Sequence, residues 1–550
     1  MAENYPWFKS YPSFAPHEID PEKYKSLIDI LERAVAKFKD LPSIENMGKS
    51  ISFNELNKFS DAFAWYLQNK TNLKPGDRVA IQMPNIIQFP IAVFGILKAG
   101  MIVVTVNPLY TAEEMLHQFT DLGVKGIVIL ENFAFNLEKI KAETTIETII
   151  IASVGDMLGA VKRTIVNFVV RNIKKMVPKY NLENYVKFND TINILKKPLK
   201  INLSSKDIAL LINTGGTTGV SKGVTLSHGN ICANMAQVDG WLGNVLEEGK
   251  EIFITPLPLY HIFSFTANLI LGIHLGGKIK LITNPRNMKA FIKELKKEKF
   301  SFFSGVNTLF NGLLNQPSFS EVDFSGLKIT LAGGMALQDV VSKKWEKTTG
   351  NPVIEAYGLS ETSPGASVNP IDGNHKIGSI GLPLPSTIFK LLDDNGNEVP
   401  QGQPGEIAIK GPQVMLGYWQ KPEENAKVFK GDFLLTGDIG VMDEDGFFKI
   451  VDRKKEMIIV SGFNVFPNEI EKVIAEHPGV LEVGVRGVAD EKTTEAVKAF
   501  IVKRDAKLNE EEIKEFCKQR LTPYKVPKYI VFRDELPKSN IGKILRRKLE

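Results

Sequence analysis

The chain has 550 residues, 43% of them hydrophobic and 24% charged. This length and composition predict roughly three to four folding units with cores of their own, and they exclude a fibrous or disordered protein. A formal net charge of +5 is small for such a chain and does not indicate a nucleic-acid partner.

The first hundred residues give no sign of secretion or membrane insertion. The opening MAENYPWFKSYPSF carries prolines and an acid but no continuous apolar core, unlike a signal peptide. Residues 79–106 are strongly apolar, yet Pro84, Pro90 and several amides interrupt them, which favours a buried helix and a buried strand over a membrane span. With only 2 cysteines in the chain, these features predict a cytoplasmic protein.

Strand and helix signals alternate along most of the chain. Residues 78–83 and 101–106 are typical of buried strands with a helix between them. Between 380 and 450, short apolar runs separated by Asp- and Gly-rich turns favour antiparallel hairpins. We therefore expect an α/β fold. A large N-terminal domain, residues 1–452, would combine layered α/β subdomains with a β-rich subdomain, and a small α/β domain, residues 453–550, would follow it.

Residues 161–180, VKRTIVNFVVRNIKKMVPKY, predict a basic amphipathic helix. Apolar side chains recur at helical spacing, and lysines and arginines surround them without any acid. Such a helix can lie on an anionic membrane surface, which would place the protein at the inner face of the membrane. It can also be an ordinary surface helix that packs by its apolar face, and the sequence leaves both interpretations open.

A glycine-rich loop carries the strongest local signal for chemistry. The apolar strand pattern of residues 208–212 leads into NTGGTTGVSKG, residues 213–223. Glycines let the backbone approach an anion, and the hydroxyls and the lysine add donors and charge, which predicts a phosphate cradle rather than a plain surface turn. It is not a Walker loop, because Lys222 stands between Ser221 and Gly223. The predicted cradle residues are Thr214, Gly215, Gly216, Thr217, Thr218, Gly219 and Lys222.

Three further ordered motifs follow: YGLSETSP at 357–364, VSGFNVFP at 460–467 and PKSNIGKILRR at 537–547. Together with the loop, they resemble the AMP-forming acyl-CoA synthetases of the adenylate-forming superfamily, most of all bacterial long-chain fatty acid–CoA ligases. The resemblance extends from about residue 50 to the C-terminus. It implies two steps. A carboxylate attacks the α-phosphate of MgATP to give acyl-adenylate and pyrophosphate, and the thiol of coenzyme A then displaces AMP.

The resemblance also implies which residues bind ATP. The glycine-rich loop would hold its pyrophosphate end, Tyr357 would stack on adenine, and Asp438 would accept the ribose hydroxyls. Glu361 and Thr217 would bind Mg²⁺, a hard cation that prefers oxygen ligands. The other nucleotide-binding residues that it implies are Gly333, Gly334, Gly358, Ser360 and Arg453.

Two lysines of the predicted C-terminal domain have distinct roles implied by the resemblance. Lys543 follows a glycine turn and would bridge the substrate carboxylate and the α-phosphate, where charge builds in the transition state. Lys455 stands at the family's hinge position, close to the predicted domain boundary. Without the resemblance, either lysine would be interpreted as part of a solvated basic face.

The segment from 257 to 265, LPLYHIFSF, resembles the family's acyl-pocket wall. His261 would lie near the reacting carboxyl, although a histidine in this setting is often a core residue. Phe265 falls at a position where some long-chain members carry an aromatic gate. Gly305, Val306 and Gly333 would add pocket wall. The acyl chain length stays open.

We therefore expect an enzyme that uses fatty acid, ATP and coenzyme A, with Mg²⁺. The alternatives are a ligase for medium-chain or aryl acids of the same superfamily, and a catalytically silent lipid or nucleotide sensor. Retention of Glu361 and Lys543 argues against the sensor. A homodimer is compatible with the sequence, which does not determine the oligomeric state.

Overall fold

The computed structural model describes residues 5–214, 222–461, 463–490, 493–539 and 542–550, with the backbone alone at residue 464. Within these ranges the chain forms four sheets, three before residue 454 and one after residue 457. The α/β fold class is confirmed. The predicted boundary between residues 452 and 453 stays a prediction.

The first sheet is mainly parallel, as the alternating pattern predicted. Its antiparallel edge brings the short strand Gly417–Tyr418 against Lys222–Ser227, which in turn pairs with Ile208–Thr214. In spatial order its strands are Gly417–Tyr418, Lys222–Ser227, Ile208–Thr214, Ile102–Thr105, Arg78–Gln82, Val124–Leu130, Thr148–Ala152 and Tyr185–Lys187.

The second sheet has a parallel centre and antiparallel edges. Its strands, in spatial order, are Leu382–Pro383, Gly365–Val368, Val353–Gly358, Ile329–Ala332, Phe302–Gly305, Ile252–Thr255, Lys278–Leu281, Pro42–Asn46 and Lys49–Ser52.

The third and fourth sheets are smaller. The third is antiparallel, as the turn-rich texture predicted, with Ile388–Leu392, Gly405–Lys410, Phe433–Met442 and Phe429–Lys430 in order and Phe448–Arg453 beside Phe433–Met442. The fourth contains Phe463–Val465, Ile458–Val460, Thr494–Lys503 and Val480–Asp490 in order, with Tyr529–Arg533 parallel to Thr494–Lys503.

Capping residues fix several helix starts. Ser52 and Glu55 form a reciprocal capping box at Phe53–Lys70, as Asn509 and Glu512 do at Glu510–Lys518. The other α-helices are Leu27–Phe38, Gln88–Lys98, Ala112–Leu122, Ala134–Ile140, Ala160–Phe168, Phe188–Ile192, His228–Leu242, Ile262–Ser264, Leu271–His274, Met288–Leu295, Asn307–Leu314, Asp339–Thr349, Pro422–Val428 and Pro467–Ala475.

The largest hydrophobic core lies between the first two sheets. It includes Val103 of the first sheet, Phe253 of the second, and the helix Gln88–Lys98, every residue of which is buried. This helix and the strand Ile102–Thr105 confirm that the apolar stretch 79–106 is core. Among the described helices, none has the length and apolar character needed to cross a bilayer.

Candidate active site

The described ends of the glycine-rich loop lie side by side. Thr214 and Lys222 are register partners in the antiparallel pair Ile208–Thr214 and Lys222–Ser227. The Lys222 ammonium lies 5.0 Å from the centre of the Tyr418 ring and forms an ion pair with Glu424. The predicted cradle residues Gly215, Gly216, Thr217, Thr218 and Gly219 lie outside the described residues.

Tyr357, Asp438 and Arg453, predicted as nucleotide-binding residues, meet at one place. The Tyr357 hydroxyl donates to Asp438 Oδ2 at 2.6 Å, and Arg453 Nε lies 2.7 Å from Asp438 Oδ1. Asp438 and Arg453 are cross-strand partners in the third sheet. Burial raises the pKa of the Asp438 carboxyl, and the charge of Arg453 opposes this rise. The Asp438 carboxyl group is held in place from two sides, by the Tyr357 hydroxyl and the Arg453 guanidinium.

Glu361 lies in a short 3₁₀ helix of one turn, Ser360–Thr362. The Tyr418 hydroxyl donates to its Oε1 at 2.9 Å, and the Met415 amide donates to its backbone carbonyl at 2.8 Å. Burial raises the pKa of Glu361, and no lysine or arginine of the described ranges forms an ion pair with it. Arg453 opposes this rise only at a distance. A partly buried carboxylate without an ion pair to a described lysine or arginine suits a hard cation such as Mg²⁺, which typically binds one or two carboxylates together with substrate phosphates.

Lys543 follows a turn that only glycine fits easily. Gly542 has φ +85°, and a Cβ built there would lie 2.3 Å from Thr308 Oγ1. The Lys543 amide donates to Ser539 Oγ at 3.1 Å, and the Ser539 amide donates to the Lys543 carbonyl at 2.7 Å. Thr308 lies on the helix Asn307–Leu314, which follows the strand Phe302–Gly305 of the second sheet. The C-terminal turn therefore packs against this helix.

His261 and Lys543 lie near each other, as the motifs predicted. His261 Nδ1 accepts a hydrogen bond from the Phe263 amide at 3.4 Å, which leaves the proton of the neutral ring on Nε2. Burial, together with the positive charge of Lys543, lowers the pKa of His261 to about 4. Burial also lowers the pKa of Lys543; Arg453 adds to this effect, while Glu456 and Asp438 oppose it. His261 is therefore neutral at pH 7, and the Lys543 ammonium interacts electrostatically with Asp438 and Arg453 of the nucleotide-side cluster.

The predicted acyl-wall residues are only partly brought together. Val306 lies 3.7 Å from the Cβ that Gly542 lacks, and Gly305 is covered by the Phe310 ring. A Cβ on Gly333 would lie 3.3 Å from the Phe263 ring, whereas Phe265 packs in the core between the first two sheets. Phe263 is thus the aromatic side chain seen beside Gly333, and the gate role of Phe265 stays a prediction.

A buried arginine ties the C-terminal segment to the predicted hinge. Lys455 is exposed in a turn in which the Glu456 amide donates to the Arg453 carbonyl. Arg546 Nη1 lies 3.0 Å from Asp452 and 2.6 Å from Glu456, and Arg546 Nη2 lies 2.6 Å from Glu471. Asp452, which is fully buried, precedes Lys455 in the sequence, whereas Glu456 and Glu471 follow it. Rotation at Lys455 would separate Arg546 from Asp452.

Sequence reasoning missed Tyr418, Asp452, Arg546 and Thr308. Tyr418 links the glycine-rich loop to Glu361, because its ring faces Lys222 and its hydroxyl holds the carboxylate. No local pattern distinguishes this tyrosine from an ordinary edge-strand aromatic. Two of the predicted nucleotide-binding positions require glycine. Gly334 has φ +80°, and a Cβ added at Gly358 would lie 1.7 Å from the Pro364 carbonyl oxygen.

The site and fold are those of a known family of nucleotide-using enzymes. Residues 31–419 match the family described as AMP-binding enzyme, and residues 469–543 match its C-terminal domain. The chain belongs to this family.

Two relatives and one solved structure show how far the likeness extends. The long-chain-fatty-acid–CoA ligase of Escherichia coli O6:H1 is 53% identical over 99% of this chain and 97% of its own. The enzyme of the same name from Bacillus subtilis is 40% identical over 100% of this chain and 98% of its own. A crystal structure of an anthranilate CoA ligase with anthranoyl-AMP superposes with a TM-score of 0.86 at 25% identity, covering 96% of this chain and 98% of that one.

Proposed function

We propose that this protein is an AMP-forming long-chain fatty acid–CoA ligase. It converts a fatty acid and ATP into acyl-adenylate and pyrophosphate, and then forms the CoA thioester with release of AMP. One observation carries the proposal: Lys543, from the C-terminal segment, lies within electrostatic reach of His261 and of the Asp438–Arg453 pair. The likeness to long-chain ligases at 53% and 40% identity supports the acid class.

The nucleotide is bound from three sides in this proposal. The loop and Lys222 hold its pyrophosphate end, and Asp438 accepts from the ribose hydroxyls while Arg453 and Tyr357 fix that carboxylate. Adenine stacks near Tyr357. Gly333, Gly334 and Gly358 let the backbone approach the ligand closely, and Ser360 contacts the α-phosphate.

Lys543 acts on the transferred group. When the fatty acid carboxylate attacks the α-phosphate, negative charge grows on the bridging and equatorial oxygens. A preorganised ammonium in a water-poor site stabilises that charge more than water would. Neutral His261, with a proton on Nε2, donates toward the carboxylate side.

The test of the proposal starts with ATP, Mg²⁺, labelled pyrophosphate and fatty acid, and CoA is added in a second stage. Oleate should support exchange of labelled pyrophosphate into ATP, and addition of CoA should then release AMP stoichiometrically with oleoyl-CoA. Nucleotide binding without acid-dependent exchange would support the silent sensor and contradict the ligase.

Glu361→Gln is expected to raise the Mg²⁺ concentration for half-maximal exchange by about tenfold, since it removes the carboxylate that a hard cation requires. Mg²⁺ supplies charge neutralisation at the phosphates when bound. The measurement is a Mg²⁺ titration of pyrophosphate exchange, with calorimetric binding of MgATP as a second readout. Glu346→Gln, an exposed helix position, is the matched control. An unchanged Mg²⁺ requirement in Glu361→Gln would show that Glu361 is only a loop acid.

We further propose that residues 453–550 move as one domain about Lys455, relative to residues 1–452. Adenylation needs Lys543 at the site, and the thiol of CoA needs access to the same carbonyl afterwards. A small domain that rotates serves both steps. The homodimer expectation stays a prediction.

The basic amphipathic segment supports a second proposal, peripheral docking on an anionic membrane. The helix Ala160–Phe168 continues into one π-helical turn, Val169–Ile173. Val166, Val169 and Val170 are partly buried, but most of the apolar face is exposed, which favours docking over the packed-face alternative. The exposed apolar side chains, with exposed fractions between 55% and 76%, are Val161, Ile165, Phe168, Ile173 and Met176.

A neighbouring segment extends this surface. Ile194, Leu195 and Leu199 are also exposed, beside Lys196 and Lys197. A surface pocket next to both segments includes Arg163 and Asn193 in its lining, together with Lys49 and the acids Glu55 and Asp156. Exposed apolar groups framed by cations fit the headgroup boundary of an anionic bilayer. A membrane-docked ligase would take its fatty acid directly from the bilayer.

The variant Ile165→Ser/Phe168→Ser should lose most flotation with vesicles containing anionic phosphatidylglycerol, while its activity on detergent-solubilised oleate is retained. Leu109→Ser, equally exposed in a loop elsewhere, is the matched control. Equal flotation of the double variant and the wild type would contradict docking by this face. Equal binding to neutral phosphatidylcholine vesicles would contradict the role of the cations.

A further inference from the structure

Lys222, at the end of the phosphate loop, is paired with a carboxylate of the protein itself. Its ammonium forms an ion pair with Glu424 Oε2, on the helix Pro422–Val428. The same ammonium lies over the Tyr418 ring at 5.0 Å. Lys222 is the cation predicted to bind the pyrophosphate end of ATP. Glu424 therefore pairs with the same ammonium group that a phosphate would bind.

Glu424 can release Lys222 without being left uncompensated. Its other oxygen, Oε1, accepts from Lys427 Nζ at 2.7 Å. Lys222 likewise keeps the Tyr418 face as a second contact. Both side chains are partly open to solvent, with 22% of Lys222 and 31% of Glu424 exposed. Hydrogen bonding to Lys222 and Lys427 lowers the pKa of Glu424 to about 2, so the carboxylate is charged at every physiological pH.

We propose that Glu424 is a counter-ion of Lys222 and that the phosphates of ATP or pyrophosphate displace it. This inference rests on the proposed function of the loop. A phosphate that approaches Lys222 meets a like charge on Glu424, so binding includes the cost of separating an existing ion pair. Glu424 therefore lowers the affinity for ATP, and it recaptures Lys222 when pyrophosphate leaves.

The proposal predicts that removing the negative charge of Glu424 increases the affinity for phosphate ligands. Glu424→Gln should bind MgATP and magnesium pyrophosphate about two- to fivefold more tightly, the scale of a partly exposed ion pair. Calorimetry without fatty acid measures both affinities, and the two ligands separate nucleotide phosphate from free pyrophosphate as the competitor. Glu423→Gln removes the same charge from the next residue, which is exposed, and should change neither affinity.

A double-mutant cycle isolates the contact. In a Lys222→Met background, which binds both ligands more weakly, Glu424→Gln should have no further effect. Unchanged or weaker binding by Glu424→Gln in the wild-type background would overturn the proposal, as would equal tightening by Glu423→Gln or in the Lys222→Met background. If Lys222→Met itself leaves both affinities unchanged, the loop's assigned function fails instead.

Discussion

Replacing Lys543 with alanine is expected to slow acyl-adenylate formation by roughly 100-fold or more, the cost of losing one preorganised donor at a developing charge. The partly buried ammonium has Asp438 and Arg453 within electrostatic reach, so no bulk cation substitutes for it readily. The measurement is oleate-dependent exchange of pyrophosphate into ATP. Thioester formation from supplied oleoyl-adenylate should fall far less.

Lys548→Ala, an exposed lysine five residues further along the chain, is the control for general loss of positive charge. It should leave both half-reactions near wild type. Exchange within a few-fold of wild type in Lys543→Ala would remove Lys543 from the adenylation step, and equal loss of both half-reactions would indicate misfolding.

The second large effect is expected at the hinge. Lys455→Pro should keep pyrophosphate exchange near wild type and reduce thioester formation severely, by about tenfold or more, since proline restricts φ to near −65°. Lys455 is exposed, and the hydrogen bonds of its turn come from the Glu456 and Met457 amides to the Arg453 carbonyl. Proline therefore preserves the contacts of this orientation while it limits rotation away from it.

Lys455→Ala is the matched control, because it removes the side chain and leaves the backbone free. CoA consumption from preformed acyl-adenylate and pyrophosphate exchange are measured separately for both variants. Loss of exchange in Lys455→Pro would mean that the substitution disrupts the site, and full activity in both assays would move the hinge to another residue.

Much of the site was predictable, because its chemistry lies in contiguous motifs. The cluster of Tyr357, Asp438 and Arg453 was expected from the resemblance, and the structure brings the three together through the pairing of Phe433–Met442 with Phe448–Arg453. The approach of Lys543 to His261 was also expected. Parallel strands and the antiparallel region followed from period and turn chemistry alone.

Other contacts depend on tertiary register that no local pattern encodes. The Tyr418–Glu361 hydrogen bond joins residues 57 apart and requires the two-residue pairing of Gly417–Tyr418 with the phosphate-loop strand. The Arg546–Asp452 contact joins residues 94 apart. In a sequence, such an arginine is indistinguishable from its exposed neighbour Arg547.

The amphipathic segment shows a different limit. Periodicity predicted a helix over 161–180 and identified its apolar face, but the α-helix ends at Phe168 and a π-turn follows. Whether that face is covered depends on what packs beside it, which periodicity does not specify. The same holds for Phe263 and Phe265: one lies beside Gly333 and the other in the core, and the sequence does not specify which of them faces the site.

The most direct test of the proposed function is AMP release by the full-length protein with ATP, Mg²⁺ and CoA across a series of acids from acetate and benzoate through octanoate to oleate. A long-chain ligase predicts that kcat/KM is highest for the long-chain acids and falls steadily toward acetate, with benzoate near background. A maximum at octanoate or at benzoate would identify a medium-chain or an aryl acid ligase and would contradict the proposed substrate class.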